Sequence, residues 1–174
     1  MDTLTFVEPQ AMHEDAAMEY ISEHVENGED DLHGAALLER LPYGEWLDLV
    51  AGNRRPDSVA EGWVPASTFF VVREDDGRII GTIDIRHYLN EFLRSYGGHI
   101  GYGVRPSERG QGYAKRILAQ ALDYARNLGI DRVMLSCYED NAASRRVIEA
   151  NGGVLEREFV HTDGKLVQVF WIEL

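Results

Sequence analysis

From Gly112 to Leu128 the apolar residues Tyr113, Ala114, Ile117, Leu118, Ala121, Leu122, Ala125 and Leu128 recur about every 3.6 residues, and Gly129 supplies the stop. A helix with so broad an apolar stripe has to lay it on another surface. The neighbouring segments offer one. HIGYGV (99–104) reads as a strand, and RVMLSC (132–137) as a short strand apolar enough for burial on both faces. The glycines inside the first strand mark a bulge or the close approach of another backbone.

The other segments extend this into a sheet. LTFVE (4–8) reads as a strand, and HEDAAMEYISEHV (13–25) as a helix with Ala17, Met18, Ile21 and Val25 on one face. AALLERLPYGEWLDLVAG (35–52) predicts a second helical region broken or bent at Pro42 and Gly44. The polar stretch NRRPDSVAEGWVPAS (53–67) reads as a mobile connection anchored by Trp63. TFFVVRE and RIIGTIDIRHYL flank a DDG turn as a hairpin, and VLEREFVHT and LVQVFWIEL flank Asp163–Gly164 as another. Between them, Asp140 or Asn141 can cap the helix AASRRVIEA, which ends at NGG. The order predicts an α/β (α+β) fold in one domain over residues 1–174: a mixed, mostly antiparallel sheet with helices on its faces.

Composition narrows the function classes. A chain of 174 residues with 44% hydrophobic and 27% charged residues is ordinary for a globular domain, and no stretch approaches the roughly 20 apolar residues of a membrane span. The start, MDTLTFVEPQ, lacks a basic segment followed by an apolar one, and Cys137 is the sole cysteine, so a cytoplasmic location is expected. A net charge of −13 argues against nucleic acid as partner and suits a cationic small substrate, although acidic surfaces also serve solubility alone. No metal-ligand spacing stands out among the six histidines, and Cys137 at a strand end reads as a small hydrophobe rather than a nucleophile.

Chemistry concentrates in VRPSERGQGYAKR, which starts at Val104 and joins a strand end directly to the start of the long helix. The first turn of a helix offers unpaired N–H groups and the positive end of its dipole, which together favour an anion. Gly110 and Gly112 keep side chains out of the way, and Arg105 and Arg109 add positive charge, so a pyrophosphate would fit. Two glycines could equally serve a tight turn. The nucleotide P-loop pattern is absent, since no Gly-Lys-Ser or Gly-Lys-Thr follows.

RGQGYA (109–114) resembles the Arg/Gln-x-x-Gly-x-Gly/Ala motif of the GCN5-related N-acetyltransferases (GNAT). GYGVRP before it, LGIDRVMLSC after the helix and NAASRRVIEANGG match that superfamily's successive segments in order, covering about residues 65–174. The resemblance implies acetyl-CoA as acyl donor, bound where the strand ending at Val104 splays from the strand ending at Cys137. Main-chain groups of Tyr102, Gly103 and Val104 would pair with the pantetheine arm, and the loop Arg109, Gly110, Gln111, Gly112, Tyr113 and Ala114 would hold the pyrophosphate. Asn141 and Ser144 match positions beside the pantetheine, though Asn141 fits an N-cap role equally.

The implied reaction is direct attack on the thioester by an amine of a small molecule or peptide, with the Val104 amide as oxyanion donor. Many relatives protonate the leaving thiolate with a tyrosine where this chain has Ile148. Tyr138 or water would then substitute, or the chain is a CoA-binding sensor or interaction module with little turnover. His99 is the candidate base, with His87 and Asp84 behind it, against a structural hydrogen-bonding role for the same histidine. Strand parity sets His99 opposite to Val104 unless a bulge resets the register. Homodimers are common in the superfamily, and the VQVFWIEL stripe reads as core or subunit contact.

Overall fold

The computed structural model describes residues 2–174. Four antiparallel strands, β1 (Leu4–Val7), β2 (Ala66–Arg73), β3 (Ile79–Arg86) and β4 (Ile100–Val104), form one sheet in sequence order. A second sheet has the order β5 (Arg132–Tyr138), β7 (Leu166–Glu173), β6 (Val154–Val160). The two are joined just before β4, where the amide of His99 donates to the carbonyl of Met134 on β5 at 2.8 Å. Beyond that point no ladder connects them. The splayed central pair is therefore present.

Helices cover both faces. α3 (Tyr113–Asn127) and α4 (Ala142–Ala150) bury Ile117, Leu118, Ala121 and Ile148 against Val71, Ile83, Leu135 and Phe170 from both sheets. α1 (Glu14–Glu26) and α2 (Tyr43–Gly52) bury Tyr20 and Trp46 against Phe70 and Ile79 on the opposite face. Phe69 and Phe70 fall in different cores because adjacent strand residues point to opposite faces. Each large aliphatic side chain so buried contributes about 1.5–3 kcal/mol.

Several expectations are corrected. On α1, Met18 and Val25 are half exposed, and the buried stripe is Ala17, Tyr20 and His24. Polar tips did not prevent burial: the Tyr20 hydroxyl meets Thr82 at 3.3 Å and His24 Nδ1 meets Glu29 at 2.8 Å. Helix is absent before Pro42. Residues 35–40 form turns in which Ala36 and Leu37 take φ of 50° and 69°, and the Trp46 indole N–H donates to the carbonyls of both Ala35 and Ala36. Trp63 is no anchor, being 42% exposed. Asn53 ties that connection instead, accepting from the Ala60 amide on its side chain and from the Ala66 amide on its carbonyl.

Candidate active site

The β3–β4 register runs unbroken from Ile85↔Ile100 to Gly81↔Val104, so β4 has no bulge. The Arg105 amide donates to the Ile80 carbonyl and the Arg86 amide to the His99 carbonyl. Bonded and non-bonded pairs alternate in an antiparallel ladder, so Tyr102 and Val104 turn their N–H and C=O groups away from β3, toward the gap before β5. That gap is an unfilled strand position bordered by the unpaired amides of Tyr102 and Val104.

The loop after β4 continues this surface. Gly110 and Gly112 have φ of 78° and 82°, a conformation that disfavours any residue with a Cβ, and a Cβ on either would meet nothing within 4 Å. Gly112 is the N-cap of α3. Among the described residues, no acceptor meets the amides of Gly110, Gln111, Gly112, Tyr113, Ala114 and Lys115. Six N–H groups at a helix start thus remain available to an anion. Side chains of the loop turn inward: the Gln111 amide reaches Glu108, and the buried Tyr113 hydroxyl bonds Asp2 and accepts from Arg73.

Neither arginine supplies mobile charge, contrary to the sequence expectation. Arg105 is 1% exposed, pairs with Glu19 and Glu23 at 2.9 and 3.1 Å, and lies over the Tyr20 ring. Arg109 donates from Nε to the Val104 carbonyl and from both terminal nitrogens to Glu29 at 2.5 and 2.7 Å. The Arg109 guanidinium, helped by His24, holds the Glu29 carboxyl down at about 2. Lys115, exposed in the first turn of α3, is the loop cation without a carboxylate partner among the described residues.

On the far side of the gap, Asn141 caps α4 by accepting from the Ser144 amide at 3.0 Å. The Ser144 hydroxyl in turn meets the Tyr102 hydroxyl at 3.1 Å, linking β4 to α4. Burial pushes the Tyr102 phenol up to about 12, so it stays protonated at neutral pH. Ile148, one turn on, is 1% exposed in the core. Burial also raises the Cys137 thiol, consistent with an inert side chain.

The expected bases are committed elsewhere. His99 Nδ1 accepts from the Met134 amide at 2.9 Å, and burial depresses the imidazole to about 4, with Arg86 and Arg94 adding to the effect. The lone pair a base would use is occupied, which matches the structural hydrogen-bonding role of His99. His87 Nε2 meets Ser67 at 2.9 Å, and Asp84 accepts from Thr68 and pairs with Arg86. Tyr138 lies on the opposite face of β5 from Cys137, its hydroxyl next to Tyr96 and donating to Asp163 at 2.8 Å. Those two neighbours raise its pKa.

The segment before α2 lies directly on β4. A Cβ on Gly34 would come within 2.5 Å of the Gly101 carbonyl, and one on Gly103 within 2.7 Å of the His33 carbonyl. The β4 glycines therefore serve close backbone approach. Beside this contact is a cavity of about 460 Å³ bordered by His33, Gly34, Glu39, Trp63, Asp84 and Phe92. Among the described residues no group of three metal-ligating side chains is found, and no helix is long and apolar enough to cross a membrane.

The model of the acetyltransferase (GNAT) family matches residues 34–152. The chain belongs to the GNAT family. It is 30% identical over 129 residues to the mycothiol acetyltransferase of Thermobispora bispora, a match covering 70% of this chain and 40% of that protein. The chain thus spans well under half of that curated relative. Its fold matches the ribosomal-protein-S5-alanine acetyltransferase of Vibrio fischeri with a TM-score of 0.74, 17% identity and coverage of 99% and 96% of the two chains. It also matches the microcin C7 self-immunity acetyltransferase in complex with acetyl-CoA and AMP, with a TM-score of 0.72, 14% identity and coverage of 100% and 94%.

Within this GNAT fold, the structure assembles Tyr102, Gly103, Val104, the loop from Arg109 to Ala114, Asn141 and Ser144 around the β4–β5 gap, and leaves His99 at its closed apex. Sequence reasoning missed His33, Glu39 and Lys115. The first two lie in EDDLHGAALLER, where acidic residues next to a glycine carry no recognisable spacing.

Proposed function

We propose that the protein transfers an acetyl group from acetyl-CoA to a primary amine, with residues 1–174 acting as one catalytic domain. The observation that carries this reading is the run of unpartnered amides formed by Tyr102 and Val104 on β4 and the six at the start of α3. A diphosphate and an amide-bearing arm have the chemistry that such a run satisfies.

Acetyl-CoA supplies the acyl group as an activated thioester. The amides of residues 110–115 and the Lys115 ammonium hold the diphosphate, and the Val104 amide donates to the carbonyl oxygen as charge develops on it. As the amine nitrogen bonds to the acyl carbon and the carbon–sulfur bond breaks, the Tyr102 phenol, backed by Ser144, donates the proton that the departing sulfur takes up. This assigns to β4 the role that Ile148 cannot fill from α4. The surplus proton of the amine leaves on the acceptor side, where His33 presents an imidazole without a side-chain partner among the described residues.

A steady-state assay of free CoA release from acetyl-CoA across a panel of amines tests the proposal. Amine-dependent release above the blank is expected. Tight acetyl-CoA binding with no release for any amine would replace the enzyme with a CoA-binding module, and absence of binding would remove both.

A further inference from the structure

The cavity beside β4 is bordered by one carboxylate with an unpartnered oxygen. Three carboxylates border it, Asp31, Glu39 and Asp84, against the single guanidinium of Arg86. Asp84 and Arg86 neutralise each other at 2.9 Å, and Arg86 Nη1 donates to the carbonyls of Gly97 and Gly98. Asp31 is an exposed rim residue paired with Arg40. Glu39 differs from both. Its side chain is 9% exposed, and Oε1 accepts only a 3.3 Å bond from the Leu32 amide with Arg40 Nε at 3.7 Å. Oε2 is buried with no hydrogen-bond partner.

A buried carboxylate oxygen left without a donor is destabilising, and a rotation of the Glu39 carboxylate toward a cation or strong donor bound in the cavity would relieve it. The aromatic rings of Trp63 and Phe92, both well exposed, border the same cavity and suit an alkyl stem or the flank of a cation. The turn that carries Glu39 is fixed by Trp46, which bonds the carbonyls of Ala35 and Ala36. The anchoring group is thus held on a braced element.

We infer that Glu39 binds a non-reacting cationic group of the acceptor, so that the substrate is a dication: an amine to be acylated and a second ammonium or guanidinium on an apolar linker. The inference rests on the acetyl-transfer reading for the identity of the reacting end. An attacking amine must be neutral, whereas a neighbouring carboxylate stabilises the charged form. Glu39 therefore suits the end that does not react. The adjacent His33, whose backbone carbonyl packs against Gly103 of β4, marks the reacting end.

The test compares putrescine with n-butylamine, which differ in the second ammonium, in the native protein and in Glu39→Gln. Putrescine is expected to exceed n-butylamine in kcat/KM by about 10- to 100-fold, the discrimination a charged hydrogen bond supplies. Glu39→Gln should abolish that ratio through a raised KM for putrescine. Equal kcat/KM for the two amines in the native protein, or an equal loss for both in the variant, overturns the inference while leaving acetyl transfer standing. Calorimetric titration of the native protein with putrescine and n-butylamine reads the cation site without turnover, and also serves if the variant does not fold. Preferential putrescine binding with no CoA release would support the site and sink the transfer reading; equal or absent binding of both would sink the site.

Discussion

His99 Nδ1 accepts a hydrogen bond from the Met134 amide at 2.9 Å, and the same residue's amide donates to the Met134 carbonyl at 2.8 Å. This paired contact is the hinge from which β4 and β5 diverge. It makes His99 a structural residue that must stay neutral.

The folded pKa of His99, about 4, lies below its ordinary value of 6.5, so between these pH values the unfolded chain binds more protons and stability rises with pH. The contribution is fully present above 6.5 and is lost as pH falls toward 4. His99→Phe should reduce the slope of unfolding free energy against pH in that window by up to about 1.4 kcal/mol per pH unit. The remaining slope belongs partly to His24, which burial also holds neutral. Turnover at pH 7 should stay within about threefold of the native protein, because no base is removed; a loss of several orders of magnitude with the fold intact would restore His99 as the base.

Gly112→Val should weaken acetyl-CoA binding by about 100-fold or more, through a side chain placed over the α3 amides and a strained φ. Gly129→Val is the matched control, since Gly129 has φ of 80° and nothing within 4 Å but lies at the other end of α3. Both variants should lose about 1–2 kcal/mol of stability. Calorimetry should show that only the first loses affinity; unchanged binding in Gly112→Val would refute the anion cradle.

Tyr102→Phe should lower kcat by about 100-fold or more while acetyl-CoA affinity is preserved, as expected when a general acid is removed. A thioester with a more acidic leaving thiol should recover much of that rate. Equal losses with both thioesters would reassign the phenol to packing.

Arg109→Gln leaves Glu29 with His24 and Asn27 only. Glu29 is depressed to about 2 in the fold against 4.5 for the ordinary group, so its stabilisation is present above 4.5 and fades as pH falls toward 2. Both side chains are partly exposed, at 44% and 30%, and solvent screening limits the expected loss to about 1 kcal/mol at pH 7. The difference in melting temperature between native and variant should close as pH falls through that window.

Much of the fold was legible because burial imposes periodicity. The stripe from Tyr113 to Leu128 fixed α3 nearly to the residue, and Asp163–Gly164 marked the last hairpin. The open helix start was readable because glycines with positive φ ahead of a helix leave a local signature. The buried face of α1 was misread because Tyr20 and His24 were not counted in it, although the Tyr20 hydroxyl meets Thr82 and His24 Nδ1 meets Glu29. The break before α2 was placed correctly, but the left-handed turns at Ala36 and Leu37 were not visible, since the Trp46 indole enforces them from ten residues away.

The sequence by itself determined the element order, the open helix start at Gly112 and the family, all of which depend on neighbours along the chain. Only the tertiary structure decided which charges are spent and which are spare. Arg105, Arg109, Asp84 and His99 find partners in remote elements and lose the roles their residue types suggest, while Glu39 Oε2 is left without one. Hydrogen-bond satisfaction is a property of three-dimensional neighbourhoods, and no spacing in the chain encodes it.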